Sequence, residues 1–369
     1  MGDNHGAPMA QERKLRPKKA KSAAVTLKAV ADHVGLTPGT VSAVLNDAPS
    51  SRSIPQHTKN RILAAARELN YRPNFFAQSL RKKRTYSIGV IVEEIGDAYG
   101  SLVISGIEQY LRQKNYFFLT VVHRHDPDLL ARYAQILLER GVEGFITVDM
   151  QLREAPSLPT VAVAGHKAFP GVTNIVLDHQ HAAHIALKHL RDLGHEEIAF
   201  MKGQTFSSDS NDRWKAICEV ADQLHMKIKP ELTVQIDIDD PTPQLGYPFA
   251  KQLLERKVPF TALFAYNDIS ALGAIRAFQE AGVRVPQDVS VVGFDDIQGA
   301  AYNTPSLTTV RQPLQRMGSI AAQTLLERIE GRADYPLEIA IEPELVVRES
   351  TSRVNTVLFT PPAELRTQS

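Results

Sequence analysis

Apolar residues follow two different spacings along the chain, and the change of spacing divides it near Ser87. Before that point they recur every three or four residues, which is the spacing of short helices that bury one face. After it, apolar runs alternate with amphipathic helical stretches, a pattern typical of parallel, doubly wound sheets. The sequence therefore predicts a small all-α head followed by an α/β body.

The head begins with two predicted helices joined by a tight turn. Thr26 is placed to cap the first helix, and Gly35 supplies a left-handed residue that ends it. Thr37 is placed to cap the second helix, with Pro38 at the first position, where a missing N–H costs nothing. The apolar residues expected to pack between the two helices are Leu27, Val30, Ala31, Val34, Val41, Val44 and Leu45.

The second helix keeps a polar side that is not needed for this packing. The residues expected to face outward are Thr40, Ser42, Ala43 and Asn46. A helix–turn–helix that reads DNA needs this division, because the second helix offers short polar groups to base edges in the major groove. The alternative is an ordinary helical hairpin inside a core.

A third helix is predicted at roughly 56–69, with Ile62, Leu63, Ala66 and Leu69 as its buried stripe. After a break at Asn70–Asn74, a short apolar segment, Phe76–Leu80, precedes the basic run Arg81–Arg84. A helix this short is marginal alone. We therefore expect it to form only when it packs against a partner copy and DNA.

Charge separates the two parts of the chain as sharply as the apolar pattern does. Residues 1–85 contain 16 Lys and Arg against 5 Asp and Glu, a net charge of +11, whereas the remainder carries −10. The overall charge of +1 hides this asymmetry. Cations concentrated at one end are typical of a segment that neutralises phosphates, and less typical of an ordinary solvated surface. The charge therefore strengthens the interpretation of the head as a nucleic-acid-binding domain.

Composition indicates a chain of more than one domain without disulfide or membrane character. At 369 residues and 43% hydrophobic content it can bury a large core. The single cysteine, Cys218, lies in an apolar helical stretch and is interpreted as a packing residue. The polar, basic segment 1–24 is expected to be disordered, and it shows neither a secretory signal nor a membrane span. We expect a cytoplasmic protein.

The body shows seven apolar runs with the lengths of buried strands. They are Ile88–Val92, Phe117–Val122, Gly144–Val148, Val161–Ala164, Ile198–Met201, Ala262–Ala265 and Val289–Gly293. About 265 residues of this pattern is long for one sheet, so we predict two subdomains, called lobes here, with a cleft between them. Ligands of such sheets bind outside the carboxyl ends of the strands.

In this order and spacing, a series of motifs resembles the LacI/GalR (lactose-repressor) family of transcription regulators. The motifs are Val25–Ala31, Gly35–Thr37, Thr40–Ser42, Asn70–Asn74, Ile88–Ile91, Leu138–Gly144, Ala265–Asp268, Val291–Asp296 and Pro305–Pro313. The resemblance implies a helix-turn-helix head, a hinge helix and a periplasmic-binding-protein-like body of two parallel-sheet lobes. It also implies a homodimer on a palindromic double-stranded DNA operator, with operator affinity, most often repression, controlled by a sugar or related metabolite.

The resemblance assigns the implied DNA contacts residue by residue. They are Thr26, Leu27, Thr37, Pro38, Gly39, Thr40, Ser42, Asn46, Tyr71, Asn74 and Leu80. Leu80 matches the family's leucine wedge, which kinks a central minor-groove step; the alternative is that it packs within the short helix. Gly39 and Ala43 depart from the family pattern, because neither can hydrogen-bond a base through its side chain. The operator sequence is therefore not predicted.

The implied effector contacts are Tyr99, Arg213, Asn267 and Asp295. The arginine and the aspartate are expected on opposite lobes, so that a ligand would satisfy both only in a closed cleft. The alternative for Asn267 and Asp295 is structural capping at strand ends. Three segments depart from the sugar-binding pattern, namely Glu93–Glu94, Gly165–His166 and Asp239–Pro241.

The pattern also predicts the limits of the domains. We expect a tail at 1–24, the DNA-binding domain at 25–72, the hinge and linker at 73–85, the body at 86–354 and a flexible tail at 355–369. The first lobe is expected at about 86–177 and 311–330, and the second at about 178–310 and 331–354. The C-terminal segment lacks leucine heptads, which favours a dimer over a tetramer.

Two other classes of function remain as alternatives. A transport-type solute-binding protein would share the two-lobed body but not the basic head. An enzyme would need a catalytic constellation, and the sequence shows no nucleophile elbow, P-loop or dinucleotide fingerprint. The i, i+2 and i, i+3 spacings of histidines 123, 125, 179, 181 and 184 are compatible with a metal site, but neither an HExxH motif nor a Cys partner accompanies them, and we interpret them as surface or hydrogen-bonded residues. We expect neither cofactor nor metal.

Overall fold

The computed structural model describes residues 25–124, 126–150, 152, 156–165, 169–332 and 334–355. The chain divides into two compact units, the head through Arg84 and the body from Thr85. The predicted tail at 1–24 and all but Asn355 of the predicted tail at 355–369 lie outside the described residues, as do His125 and His166.

The head consists of four short helices and one 3-10 turn. The helices are α1 (Leu27–Val34), α2 (Pro38–Leu45), α3 (Gln56–Glu68) and α4 (Phe75–Lys82), and the turn spans Pro49–Ser53. Thr26 Oγ1 accepts from Ala29 N at 3.2 Å, and Thr37 Oγ1 accepts from Thr40 N at 3.2 Å. Gly35 ends α1 in the left-handed conformation, at φ 67°. The predicted caps and the predicted helix pair are confirmed.

Two positions of the head differ from the prediction. Ala43, expected to face outward, is buried, because the chain beyond α2 turns back on it and Ala48 N donates to the Ala43 carbonyl at 2.9 Å. Leu63, expected in the buried stripe of α3, is 38% exposed, and the core positions of this helix are instead Ile62, Ala65 and Ala66. The turn that follows α2 has no apolar periodicity, so the sequence pattern did not indicate it.

The first lobe is a six-stranded parallel sheet between helices. Its strands are β1 (Ser87–Val92), β2 (Phe117–Val122), β3 (Phe145–Val148), β4 (Thr160–Val163), β5 (Val172–Leu177) and β11 (Glu338–Ile341), in the order β11-β5-β4-β3-β1-β2. Its helices are α5 (Ala98–Gln113), α6 (Pro127–Glu139) and α12 (Leu314–Ile329). Val90 faces the core formed with α5 and α12, and Ile91 faces the core on the opposite side of the sheet.

The second lobe repeats this architecture. Its strands are β6 (Ile198–Lys202), β7 (Thr233–Gln235), β8 (Ala262–Phe264), β9 (Ser290–Asp295), β10 (Thr308–Arg311) and β12 (Glu344–Val346), in the order β12-β10-β9-β8-β6-β7. Its helices are α7 (His179–Asp192), α8 (Ser208–Gln223), α9 (Tyr247–Glu255), α10 (Asp268–Glu280) and α11 (Gln298–Tyr302). Only β12, at one edge, is antiparallel to its neighbour.

The predicted doubly wound fold of two lobes is confirmed, but one boundary is wrong. Residues 331–354 were assigned to the second lobe, whereas β11 pairs with β5 in the first sheet. The chain leaves α12, adds this strand to the first lobe, and only then crosses to β12. The segment Glu338–Ile341 is a half-exposed edge strand without a continuous apolar run, so its non-local pairing left little signal in the sequence.

Candidate functional sites

The polar side of α2 is organised by hydrogen bonds among its own side chains. Thr37 and Thr40 share a hydroxyl–hydroxyl hydrogen bond of 2.9 Å. Asn46 Nδ2 donates to the Ser42 carbonyl at 2.7 Å, and Asn46 Oδ1 accepts from Gln78 Nε2 at 2.6 Å. Because Gln78 belongs to α4, Asn46 links the candidate recognition helix to the hinge helix. No local sequence pattern indicates this link.

A groove of about 540 Å³ on the head brings together six of the eleven predicted DNA-binding residues. They are Thr26, Leu27, Ser42, Asn46, Tyr71 and Asn74. The leading end of α2 lies outside this groove, and there Thr37, Pro38 and Gly39 are exposed. The predicted residues thus occupy two neighbouring parts of one small unit.

The hinge helix α4 presents Leu80 to solvent. Asn74 Oδ1 caps the helix by accepting from Ala77 N at 3.2 Å, and Lys83 ends it with a positive φ of 53°. Leu80 is 84% exposed. The alternative in which it packs within the helix is therefore wrong for this conformation, and an apolar side chain is available for a partner.

In the body, a cavity of about 260 Å³ opens between the two lobes at the carboxyl ends of their strands. All four predicted effector contacts, Tyr99, Arg213, Asn267 and Asp295, line it. Their distribution differs from the prediction in one respect. Arg213 and Asp295 were expected on opposite lobes, but both belong to the second lobe, because α8 carries the arginine and β9 ends at the aspartate.

Arg213 lies at the centre of the wall formed by the second lobe. Its side chain is 6% exposed and pairs with Asp209 one helical turn earlier. It also donates to the Tyr266 carbonyl at 2.6 Å, and its guanidinium lies 3.7 Å from the centre of the Phe294 ring. His179 holds the other oxygen of Asp209 at 2.9 Å. The arginine is therefore fixed in place before any ligand enters.

Asp295 and Asn267 differ in what their side chains do. Asp295 is buried at the end of β9, at a φ of 112°, and its Oδ1 accepts from Gln312 Nε2 at 2.6 Å. Strained backbone of this kind persists where surrounding structure enforces it, often at functional sites. Burial raises the pKa of Asp295 to about 7. Asn267 forms a capping box with Ser270 at the start of α10, so the capping interpretation is correct for that residue.

The first lobe contributes carboxylates that sequence reasoning missed. Asp97 caps α5 by accepting from Gly100 N at 2.9 Å, and burial raises its pKa to about 6. Asp149 follows β3, and its pKa is raised by burial and by the neighbouring Glu93. Asp97 lies between β1 and α5, a segment in which only Glu93 and Glu94 were considered, and no residue that follows β3 was considered. Asp239, Asp240 and Pro241 also line the cleft, whereas Gly165 lines a separate cavity of about 390 Å³.

Neither a metal cluster nor a membrane helix emerges from the part of the chain that the structure describes. There, His, Cys, Asp and Glu side chains do not assemble into a group of three or more that could hold a metal ion. Within the same ranges, every helix is too short or too polar to cross a bilayer.

Comparison with known families gives two matches along the chain. The family described as bacterial regulatory proteins, lacI family, matches residues 26–74. The family described as periplasmic binding protein-like domain matches residues 187–351. The HTH-type transcriptional repressor PurR of Yersinia enterocolitica is 31% identical over 336 residues, which cover 89% of this chain and 97% of that protein.

Solved structures agree with these matches. A lac repressor dimer bound to operator and the anti-inducer ONPF superposes with a TM-score of 0.81 at 27% identity, over 89% of this chain and 99% of that one. The transcriptional regulator CelR in complex with cellobiose gives a TM-score of 0.66 at 27% identity, over 88% and 99% of the two chains. Both likenesses extend over the head and the body.

Proposed function

This chain belongs to the lacI family of bacterial regulatory proteins and is a DNA-binding transcriptional regulator, and from that premise we propose that it represses transcription from a palindromic operator as a homodimer. The helix–turn–helix head is the observation that carries the proposal. It combines a capped recognition helix, a short hinge helix and a net charge of +11 over residues 1–85.

Within this function, the eleven predicted head residues contact the operator in two ways. The exposed leading end of α2, around Thr40, enters the major groove, where hydroxyl groups hydrogen-bond to base edges. Leu80 of each protomer enters the minor groove as an apolar wedge and bends the duplex. Asn46 supports both, because it links Ser42 on α2 to Gln78 on α4. Since Gly39 and Ala43 offer no side-chain hydrogen bond, DNA shape carries part of the specificity.

The cleft in the body is the effector site of this regulator. Tyr99 and Asp97 stand on the first lobe and Arg213 and Asp295 on the second, so one small ligand contacts both lobes only when they close upon it. Binding therefore stabilises one angle between the lobes. The related CelR structure contains cellobiose, which supports a small metabolite as the class of ligand. The angle between the lobes sets the spacing of the two heads in the dimer, so ligand binding changes operator affinity.

We also propose where the regulator acts and that its cleft does not catalyse a reaction. The regulator acts in the bacterial cytoplasm, on the nucleoid, because its partner is chromosomal DNA. The cleft binds its ligand without transforming it, in keeping with relatives named as transcriptional regulators. A turnover that disappears in Asp295→Asn, in a protein without specific DNA binding, would favour an enzyme instead.

The test is selection of bound sites from random double-stranded DNA by the full-length protein, with and without a metabolite library. We expect enrichment of a palindrome and a compound that changes its recovery. A transport-type solute-binding protein would bind a compound but enrich no sequence. Such a result would overturn the proposal.

A further inference from the structure

The interlobe cleft contains many more acidic than basic side chains. Of the described residues that line it, eight are acidic, namely Glu93, Glu94, Asp97, Asp149, Asp209, Asp239, Asp240 and Asp295. Two arginines face them. Arg213 is committed to Asp209, and Arg124 is 74% exposed at the rim, 3.6 Å from Glu94. The two arginines among the described lining residues therefore offset only a small part of the acidic side chains of the cleft.

Three of these carboxylates are held by neutral donors, which orient them without adding positive charge. Asp97 accepts from the Gly100 backbone at 2.9 Å, and Asp295 accepts from the Gln312 amide at 2.6 Å. Asp240 accepts from Thr242 N at 2.8 Å and from its hydroxyl at 2.6 Å. Asp97 lies on the first lobe and the other two on the second, so both walls present fixed carboxylates to a ligand.

The two lobes influence each other electrostatically across the cleft. Burial is the main cause of the raised pKa values of Asp97, about 6, and Asp295, about 7. Arg213 lowers the pKa of Asp295, whereas the charges of Asp209 and of Asp97, which lies on the other lobe, raise it. The charges of Glu93 and Glu94 raise the pKa of Asp97. A positive charge placed between Asp97 and Asp295 would favour both ionised forms and relieve this repulsion.

An independent observation also points to a ligand at this place. The Tyr99 hydroxyl is buried without a hydrogen-bond partner, and its pKa is raised by burial and by Asp209, Asp149 and Asp295. The Nε of Arg213, in a side chain 6% exposed, is likewise buried without a partner. Polar groups in this state destabilise the protein until something hydrogen-bonds to them. A ligand with hydroxyl or carbonyl oxygens would satisfy both atoms.

We propose that the effector of this cleft is a small organic cation, a protonated amine on a hydroxyl-bearing skeleton of the amino-sugar type. Its ammonium group lies between Asp97 and Asp295, and its oxygens face Tyr99 and Arg213. An organic ammonium fits better than a metal ion, because the described acidic side chains do not converge as metal ligands. This inference rests on the proposed function, since it names the chemistry of the same effector site.

The test measures binding to the full-length protein by calorimetry at pH 6.5. The probes are D-glucosamine, D-glucose and D-glucuronate, together with amine, neutral and carboxylate members of a metabolite library. We expect the tightest ligand to be an amine. We also expect its binding to release protons, seen as a dependence of the heat on buffer ionisation, because a cation lowers the pKa of Asp97 and Asp295.

Two variants test whether the ammonium group of the ligand contacts Asp97. Asp97→Asn keeps a residue able to cap α5 but removes the charge, and it should weaken binding of the amine about tenfold or more. Asp192→Asn removes an exposed carboxylate outside the cleft, paired with Lys188, and should leave the affinity unchanged. A tightest ligand that is neutral or anionic, the absence of amine binding, or equal losses in both variants would overturn the inference.

Titration with operator DNA distinguishes failure of the cation inference from failure of the proposed function. A neutral compound that binds and shifts operator affinity would reject the cation and preserve the effector role. An amine that binds through Asp97 and leaves operator affinity unchanged would support the charge assignment and contradict the effector role.

Discussion

The head and the body use polar side chains in opposite ways. On the head, Thr37, Thr40 and Asn46 are exposed or half-buried and are connected by neutral hydrogen bonds. In the body, Arg213 and Asp295 are buried charged groups at the floor of a cleft. The head is therefore suited to a large, hydrated, negatively charged surface, which the net charge of +11 over residues 1–85 attracts. The body is suited to a small ligand whose charge and shape must match a rigid pocket.

Truncation of Leu80, which is exposed on α4, should give the largest change in operator affinity. Leu80→Ala is expected to reduce operator affinity by about 2 to 3 kcal/mol, because the bend loses its wedge. Non-specific DNA binding depends on phosphate contacts and should change little. Titration of both DNAs at one fixed salt concentration measures the difference.

Leu337→Ala, which shortens a leucine 54% exposed on the body, serves as the matched control and should leave both affinities unchanged. Equal losses for operator and non-specific DNA in Leu80→Ala would reject the wedge.

The raised pKa of Asp97 predicts a pH dependence of stability for the body. Asp97 has a pKa raised from 3.8 to about 6, so the folded state keeps this proton while the unfolded state loses it. The free energy of unfolding should therefore fall by about 2 to 3 kcal/mol between pH 4 and pH 6 and then level off. Denaturant titration of wild type and Asp97→Asn isolates this contribution, because other acids affect both proteins equally.

The variant should gain stability relative to wild type as the pH rises through this window. A difference between the two proteins that stays constant from pH 4 to pH 7 would show that Asp97 titrates normally.

Mutation of the hydrogen bond between α2 and α4 tests whether the head acts as one unit. Asn46→Ala and Gln78→Ala each remove the 2.6 Å hydrogen bond between the two helices. In a double-mutant cycle on operator affinity, we expect a coupling of about 1 kcal/mol. Additive losses would mean that Asn46 acts on DNA independently of the hinge helix.

The smallest effect is expected from the cap of the recognition helix. Thr37→Ala removes the oxygen that accepts from Thr40 N and should destabilise the head by about 0.5 to 1 kcal/mol. Thr37→Ser restores a capping hydroxyl and should recover most of this loss, as measured by thermal unfolding of the full-length chain. An unchanged stability in Thr37→Ala would contradict the role of the cap.

The comparison also explains which features could be predicted from sequence. Caps and apolar stripes act over a few residues, so Thr26, Gly35 and Thr37 were assigned correctly. Ala43 and β11 were misplaced because a following turn buries the first and a distant strand pairs with the second. Such contacts leave little local pattern.

The charged residues of the cleft show the same limit of prediction from sequence. The resemblance assigned Arg213 and Asp295 to the cleft that they line. The predicted second lobe, at about 178–310, contains both residues, so the expectation that they stand on opposite lobes disagreed with those bounds and was wrong. Asp97 and Asp149 carried no distinguishing local signal, since carboxylates commonly cap helices or follow strands. Their importance comes from their burial on the first lobe, in a cleft that Arg213 and Asp295 of the second lobe also line, and only the folded chain determines this arrangement.

Operator affinity of the full-length protein, titrated against the ligand identified for the cleft, tests the central claim most directly. The account predicts nanomolar-range binding to a selected palindrome at physiological ionic strength, and a shift of that affinity by about tenfold or more when the ligand saturates the cleft. A protein that prefers no palindrome under any ligand, or whose affinity for its palindrome is the same with the cleft empty and saturated, would contradict it.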